Sequence, residues 1–196
     1  MDPKDRIREA AFALFTGIGY SGVTMDQVAR RCGIGKATLY KHFPSKEALL
    51  LSCVDYFTEK IGSEVEGILQ NPDLPPHRKV TEFVLPVVRF ASGVNAHVLE
   101  DIQRSVPEAY QRIEANRKKI ILSNLVRIVR EGKEEGIFRE DLNGTLVAHM
   151  LIGATSHLIT PQVLEEIGLP IGTLFETAVS MIWEGCLSEA GRGMVR

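Results

Sequence analysis

Cysteine is scarce and scattered in this chain: Cys32, Cys53 and Cys186 are all it has. They show no paired spacing and no histidines at zinc-finger distances, so no disulfide framework or structural metal site is expected and a reducing compartment is. Long apolar runs are missing too; none approaches the roughly 18–20 residues needed to cross a bilayer. The opening MDPKDRIREA is charged and lacks the apolar core of a secretory signal. These absences predict a cytoplasmic protein with no membrane partner. Catalytic signatures are absent as well. There is no G-x-S-x-G, no H-E-x-x-H and no complete dinucleotide fingerprint, so neither an enzyme nor a cofactor is expected. No alternating strand pattern, repeat or low-complexity tract interrupts the chain.

What is present is helical periodicity and an uneven spread of charge. The whole chain is close to neutral, with 23 Lys/Arg against 25 Asp/Glu. Residues 1–52, however, hold eight basic and five acidic side chains, a net +3, and the remainder is net −5. A basic head on an acidic body fits a nucleic-acid reader with a separate second function. Ile7, Ala10, Ala11, Leu14 and Phe15 form one apolar stripe at helical spacing, ended by Gly17 and Gly19. Thr24 with Gln27 three residues on is a capping box, so a second helix starts near Met25 and ends at Gly33. A short third helix spans about Lys36 to His42. Ser45 caps a long fourth, about Lys46 to Leu69, and NPDLPP at Asn71–Pro76 breaks it. Helical patterns resume over about 77–91, 95–104, 107–131, 142–158 and 171–188, with a loop holding Pro161, Gly168 and Pro170 before the last. The expected fold is all-α, with about nine helices and no sheet.

The stretch CGIGKATLYKHF, residues 32–43, has two readings. A phosphate-cradling nucleotide loop needs Gly at position 30, a hydroxyl after Gly35-Lys36 and a preceding strand. The chain has Arg30, Ala37 and a capped helix there. A helix-turn-helix fits instead. Gly33 makes the turn, Ala29 permits close packing, and Val28, Ile34 and Leu39 form the shared core, with Phe43 adding to it. Lys36, Thr38, Tyr40, Lys41 and His42 are then offered to a groove about as wide as this short helix is long, roughly 10 Å.

Residues 7–51, and above all VTMDQVARRCGIGKATLYKHFPSKEALL, resemble the DNA-binding head of TetR-family (tetracycline repressor) transcriptional regulators. The matching features are Tyr20 with Gly22, Thr24, Ala29, Gly33, TLYKHF and SKEAL. Gly35 departs from the family, where Ser often caps the recognition helix; this costs a few tenths of a kcal/mol, about what Gly loses to Ser at a cap. The resemblance implies an N-terminal three-helix head joined by a long helix to an all-helical body, with residues 1–46 binding DNA and 47–196 binding ligand and dimerising. It implies contacts to double-stranded DNA from Thr24, Lys36, Ala37, Thr38, Tyr40, Lys41, His42 and Lys46, the last as a phosphate-binding lysine. It also implies a repressor released from a palindromic operator by a small hydrophobic or aromatic effector. A DNA-binding activator and an architectural protein without a ligand remain the alternatives.

Candidate lining for the effector is Phe57, Phe83, Val87, Phe90, His97, Ile102, Tyr110, Leu125 and Met150. The last two long helices carry more apolar surface than one core needs. They could simply complete the bundle, but a four-helix homodimer interface is the preferred reading. Its residues would be Leu146, Met150, Gly153, Ala154, Leu158, Leu174, Phe175, Ala178, Ile182 and Trp183. His97, Glu100 and Asp101, or His149 and His157, have spacings compatible with a metal, although exposed carboxylates and scattered histidines are the commoner case and no metal site is assigned.

Overall fold

The computed structural model describes residues 2–75, 78–79, 82–83, 86, 96–158 and 160–195. Among these residues lie ten helices and no strand. They are α1 (Pro3–Ile18), α2 (Met25–Cys32), α3 (Lys36–His42), α4 (Lys46–Gln70), α5 (Ala96–Ser105), α6 (Pro107–Glu134), α7 (Gly144–Leu158), α8 (Pro161–Ile167), α9 (Ile171–Cys186) and α10 (Glu189–Val195). One isolated antiparallel bridge joins Phe138 to Leu187. The all-α expectation holds. Much of the helical pattern read over 77–91, with Gly93, lies outside the described residues.

Two helices were not foreseen. The segment read as a loop before the last long helix contains α8, and α10 follows Cys186. The signals for α8 are ordinary ones: Thr160 stands at the N-cap, Pro161 in the first turn, and Gly168 closes the end with φ 68°. Two prolines within ten residues outweighed them in a purely sequential reading. For α10, the Ser188 hydroxyl accepts from the Gly191 amide at 2.9 Å, the work of an N-cap. The start of α7 likewise shifts to Gly144, because Asn143 caps it by accepting from the Leu146 amide at 3.0 Å.

The chain forms two compact units, Met1–Lys60 with Gly93–Asn116, and Ile61–Ser92 with Arg117–Arg196. In the first, Ile7, Ala11 and Phe15 of α1 pack with Val28, Leu39, Phe43, Leu49 and Cys53, and also with Val98 and Ile102 of α5, Ala109 of α6 and Val106 between them. Polar ties reinforce this. Arg8 donates to Ser52 at 2.9 Å and the Tyr56 hydroxyl to Glu9 at 3.0 Å. Arg112 pairs with Asp55 at 2.9 Å and Asn116 donates to Thr58 at 3.0 Å. The first half of α4 is therefore held by α1 and by α6 alike. That is why this compact unit takes in α4 as far as Lys60.

In the second unit the core gathers Val65, Leu69, Leu125, Ile128, Val147, Leu151, Phe175, Val179 and Trp183. Phe138 stacks on Trp183 with ring centroids 5.2 Å apart. It also lies over Gly132 of α6, where an added Cβ would stand 2.1 Å from the Phe138 ring. Helix propensity favours Gly132→Ala by about 0.8–1.0 kcal/mol. Overpacking a ring that is buried and stacked costs about 1–3 kcal/mol and outweighs it. Gly132→Ala is expected to lower Tm by ~2–6 °C in a thermal melt, where propensity alone predicts a rise.

Candidate nucleic-acid interface

The second and third helices are set by their ends. The Thr24 hydroxyl accepts from the Gln27 amide at 3.3 Å, and the Gln27 side chain accepts from the Thr24 amide at 2.7 Å, so the capping box is complete. At the other end of α2, Gly33 adopts φ 67° and ψ 33°. Its amide reaches the Arg30 carbonyl and the Ile34 amide reaches the Ala29 carbonyl, each at 3.1 Å, which is the paired closure of a Schellman motif. The chain then turns, and α3 opens at Gly35 with no side-chain cap. Leu39 is fully buried and Phe43 nearly so, and they fix the inner side of α3. Lys36, Ala37, Thr38, Tyr40 and Lys41 are exposed and His42 half-buried. No acidic side chain lies on α3 itself.

Two of the expected DNA-contacting lysines are already engaged. The Lys36 ammonium pairs with Asp26 at 2.8 Å across the turn. The hydrogen bond and charge of Asp26 hold the Lys36 pKa above the usual lysine range. Lys46 departs further from expectation. Its ammonium donates to the carbonyls of Tyr20 at 3.0 Å and Val23 at 2.9 Å, and lies 4.2 Å from the centre of the Tyr20 ring. It is a tie between the start of α4 and the loop before α2, with one N–H left for any phosphate. Burial pushes the Tyr20 hydroxyl pKa up, and the charges of Glu47 and Asp101 add to it.

Asp101 completes the same loop. Its carboxylate accepts from the Ser21 amide at 2.7 Å, from the Ser21 hydroxyl and, at 3.1 Å, from the Ser105 hydroxyl. Burial acts to raise its pKa, but the hydrogen bonds from Ser21 and Ser105 outweigh it and hold the group below the usual range. This bond was invisible in the sequence, where Asp101 stood only beside His97 and Glu100 as a conceivable ligand set. His97 pairs with Glu100 at 3.7 Å on an exposed surface. Among the described residues no three His, Cys, Asp or Glu side chains gather as a metal site requires. His149 and His157 are both exposed on α7.

The residues expected to line an effector pocket do not share one environment. Phe57, Ile102 and Tyr110 belong to the first core, while Phe83 and Leu125 are buried in the second. Met150 is 56% exposed and His97 is also on the surface, so neither lines an interior. Val87 and Phe90 lie outside the described residues. An open groove of about 520 Å³ in the second unit is bordered by Val126, Val129, Arg130, Lys133, Leu142 and Gly144, and by none of the expected residues.

The expected interface divides too. Phe175 and Trp183 are buried in the core of their own chain, because α9 turns that side toward α7, and Leu174 is buried as well. Leu146 and Met150 are 59% and 56% exposed on α7, and Met181, which the sequence reading overlooked, is 72% exposed on α9. Gly153 is exposed, and Ala154, Leu158, Ala178 and Ile182 are half-buried. Among the described residues no helix is long and apolar enough to cross a membrane.

Comparison with known proteins gives a consistent result. The family described as bacterial regulatory proteins, tetR family, matches residues 7–53. A second, described as YsiA-like protein, C-terminal region, matches residues 97–185. The uncharacterized HTH-type transcriptional regulator YvaF of Bacillus subtilis is 24% identical over 187 residues, covering 94% of this chain and 95% of its own. YuxN of the same organism, also an uncharacterized HTH-type regulator, is 39% identical over 69 residues, which are 35% of this chain. This chain therefore matches only 24% of YuxN's length. The fold resembles that of FadR from Bacillus subtilis, solved in complex with stearoyl-CoA, with a TM-score of 0.65 at 22% identity over 91% of this chain and 96% of that one.

Replacing Asp101 by Asn removes the charged acceptor and is expected to cost ~1 kcal/mol at pH 7 after solvent screening, or ~2–4 °C in Tm. Because the folded pKa lies below the unfolded one, this stabilisation is fully present above the ordinary Asp value, about 3.9, and fades as pH falls through the folded value. Melts of both proteins from pH 7 downward should therefore converge in acid. A gap that stays constant or widens below pH 4 rules the carboxylate out as its source.

Proposed function

Because this chain belongs to the TetR family of bacterial regulatory proteins, we propose that it is a ligand-responsive repressor that leaves a palindromic operator when a small hydrophobic effector binds its body. The observation that carries this reading is the outer face of α3. It bears cations, hydroxyl groups and an imidazole, has no carboxylate of its own, and is held rigidly by Leu39 and the Gly33 turn. In this reading residues 1–46 bind DNA and 47–196 bind ligand and dimerise. Lys36 and Lys41 neutralise phosphates; Thr38, Tyr40 and His42 donate to phosphates or base edges; Ala37 offers a methyl group to the groove. Thr24 and the remaining N–H of Lys46 meet the backbone beside them. The protein then acts in the cytoplasm, where its DNA is.

The exposed apolar side chains Leu146, Met150 and Met181 support a homodimer through α7 and α9. Two heads related by a two-fold axis read half-sites about one helical turn apart, roughly 34–36 Å. A fold neighbour solved with stearoyl-CoA supports a long-chain acyl compound as the effector class. Phe83 and Leu125, which share the core of the second unit, remain the candidates for contact with it.

The reading is tested by selecting duplexes from a random pool with the purified protein and footprinting the winners. A palindrome protected by a dimer is expected, with stearoyl-CoA both raising Tm and releasing the DNA. Lys41→Ala should lower the salt dependence of operator binding by about 0.9 in the log–log slope, as loss of one phosphate contact does. No enriched duplex at all, or one held with full affinity by a monomer, sinks the proposal. The double variant Leu146→Glu, Met181→Glu should elute as a monomer and protect nothing, since charge on that face opposes its burial.

A further inference from the structure

Helix α7 presents a whole side to solvent, yet it carries no Asp, Glu, Lys or Arg along its 15 residues. Leu146, Met150, Gly153 and His157 lie on that side, and all four are exposed. They follow one another at i, i+4, i+7 and i+11, the spacing of a seam between packed helices. Met150 projects from it, 56% exposed. A Cβ added at Gly153 would meet nothing within 4 Å. Packing inside the chain therefore does not call for glycine there, and glycine is a poor residue for a helix interior. A projecting thioether and an open hollow about one turn apart complement each other, but a single chain cannot bring them together.

We infer that α7 packs antiparallel on α7 of a second copy of this chain, with Met150 of each copy seated over Gly153 of the other. The inference rests on the homodimer reading above and fixes its register. A two-fold axis makes contacts reciprocal: where residue i meets j, j meets i. The pairs 150/153 and 146/157 share one midpoint, between residues 151 and 152, so a single axis there satisfies both. Leu146 then covers the partner's His157 at each end of the seam. A slip in register loses this match. Centred on Met150, the seam would force two methionines together at the axis and leave both Gly153 hollows empty. Charge selects the same occupant. A face without charge buries no unpaired ion against its own copy, and it offers nothing to hold an acidic or basic partner. Charge also selects the helix. The outer side of α9 exposes Glu176 and Glu184, and an axis through α9 would bring like carboxylates together. That leaves α9, with its exposed Met181, to flank the seam.

The test is cross-linking and sedimentation equilibrium of the full chain. Cross-linking uses a Cys32→Ser background, which removes the half-buried thiol and keeps the buried Cys53 and Cys186. The double variant Leu146→Cys, His157→Cys is expected to join into dimers through a short bismaleimide. Each single variant should stay unjoined, because like positions on the two copies lie eleven residues apart along the seam, roughly 16 Å. Gly153→Met is expected to weaken dimerisation about 100-fold or more, since two methionines are forced together at both symmetric contacts. Met150→Gly combined with Gly153→Met exchanges knob and hollow, and should restore the dimer to within about 10-fold of wild type. The exchange also controls for folding, since it contains the same Gly153→Met substitution. A wild type that sediments as a monomer at every concentration sinks the homodimer reading and this inference with it. If the wild type is a dimer, only this inference falls when a single cysteine variant joins to itself, when the double variant fails to join, when Gly153→Met dimerises like wild type, or when the exchange restores nothing.

Discussion

One ammonium group fixes the geometry on which the head depends. Lys46 stands at the first position of α4, and its Nζ closes on the carbonyls of Tyr20 and Val23 over the face of the Tyr20 ring. Those carbonyls belong to the loop between α1 and α2, so the start of the long helix and the entry to the helix-turn-helix are locked together. A charge-assisted bond of this kind is worth about 1.5–3 kcal/mol, and removing the lysine would leave two carbonyls to find new partners. Tyr20 in turn packs on Phe15 and into the same core as Leu39 and Leu49. The orientation of α3 is thus a consequence of packing and hydrogen bonds on its inner side, and its outer side is left to polar chemistry.

Asp101 and Asp26 put two carboxylates to different uses around this scaffold. Asp101 is satisfied by Ser21 and Ser105, and so ties α5 to the loop that Lys46 also holds. A segment far away in sequence is thereby part of the same compact unit as the head. Asp26 is satisfied by a side chain that the proposed function needs elsewhere. The first carboxylate stabilises, because both partners remain in place.

The two cores also show how surface and interior were sorted along single helices. On α9, Phe175, Val179 and Trp183 face inward and Met181 outward. All are apolar, so hydrophobicity alone could not separate them. Helix phase separates them only once the neighbour is known, and the neighbour is α7, which itself keeps Val147, Leu151 and Thr155 buried and leaves Leu146 and Met150 outside.

What the sequence determined by itself is local. The Thr24–Gln27 box, the Gly33 turn, the extent of α3, the Ser45 cap and the all-α class are properties of neighbours a few residues apart, where backbone sterics and cap chemistry decide. The helix at Pro161–Ile167 obeyed the same local rules, and its proline and glycine were simply weighed as breakers instead of ends. What only the tertiary structure decided is which side chains meet across long separations: Lys46 with Tyr20, Asp101 with Ser21, Asp26 with Lys36, Gly132 with Phe138. A lysine reads the same in sequence whether it faces solvent or ties two carbonyls. The difference is set by the low-energy path of the whole chain, which brings a specific acceptor within three ångströms and leaves the alternative unsatisfied.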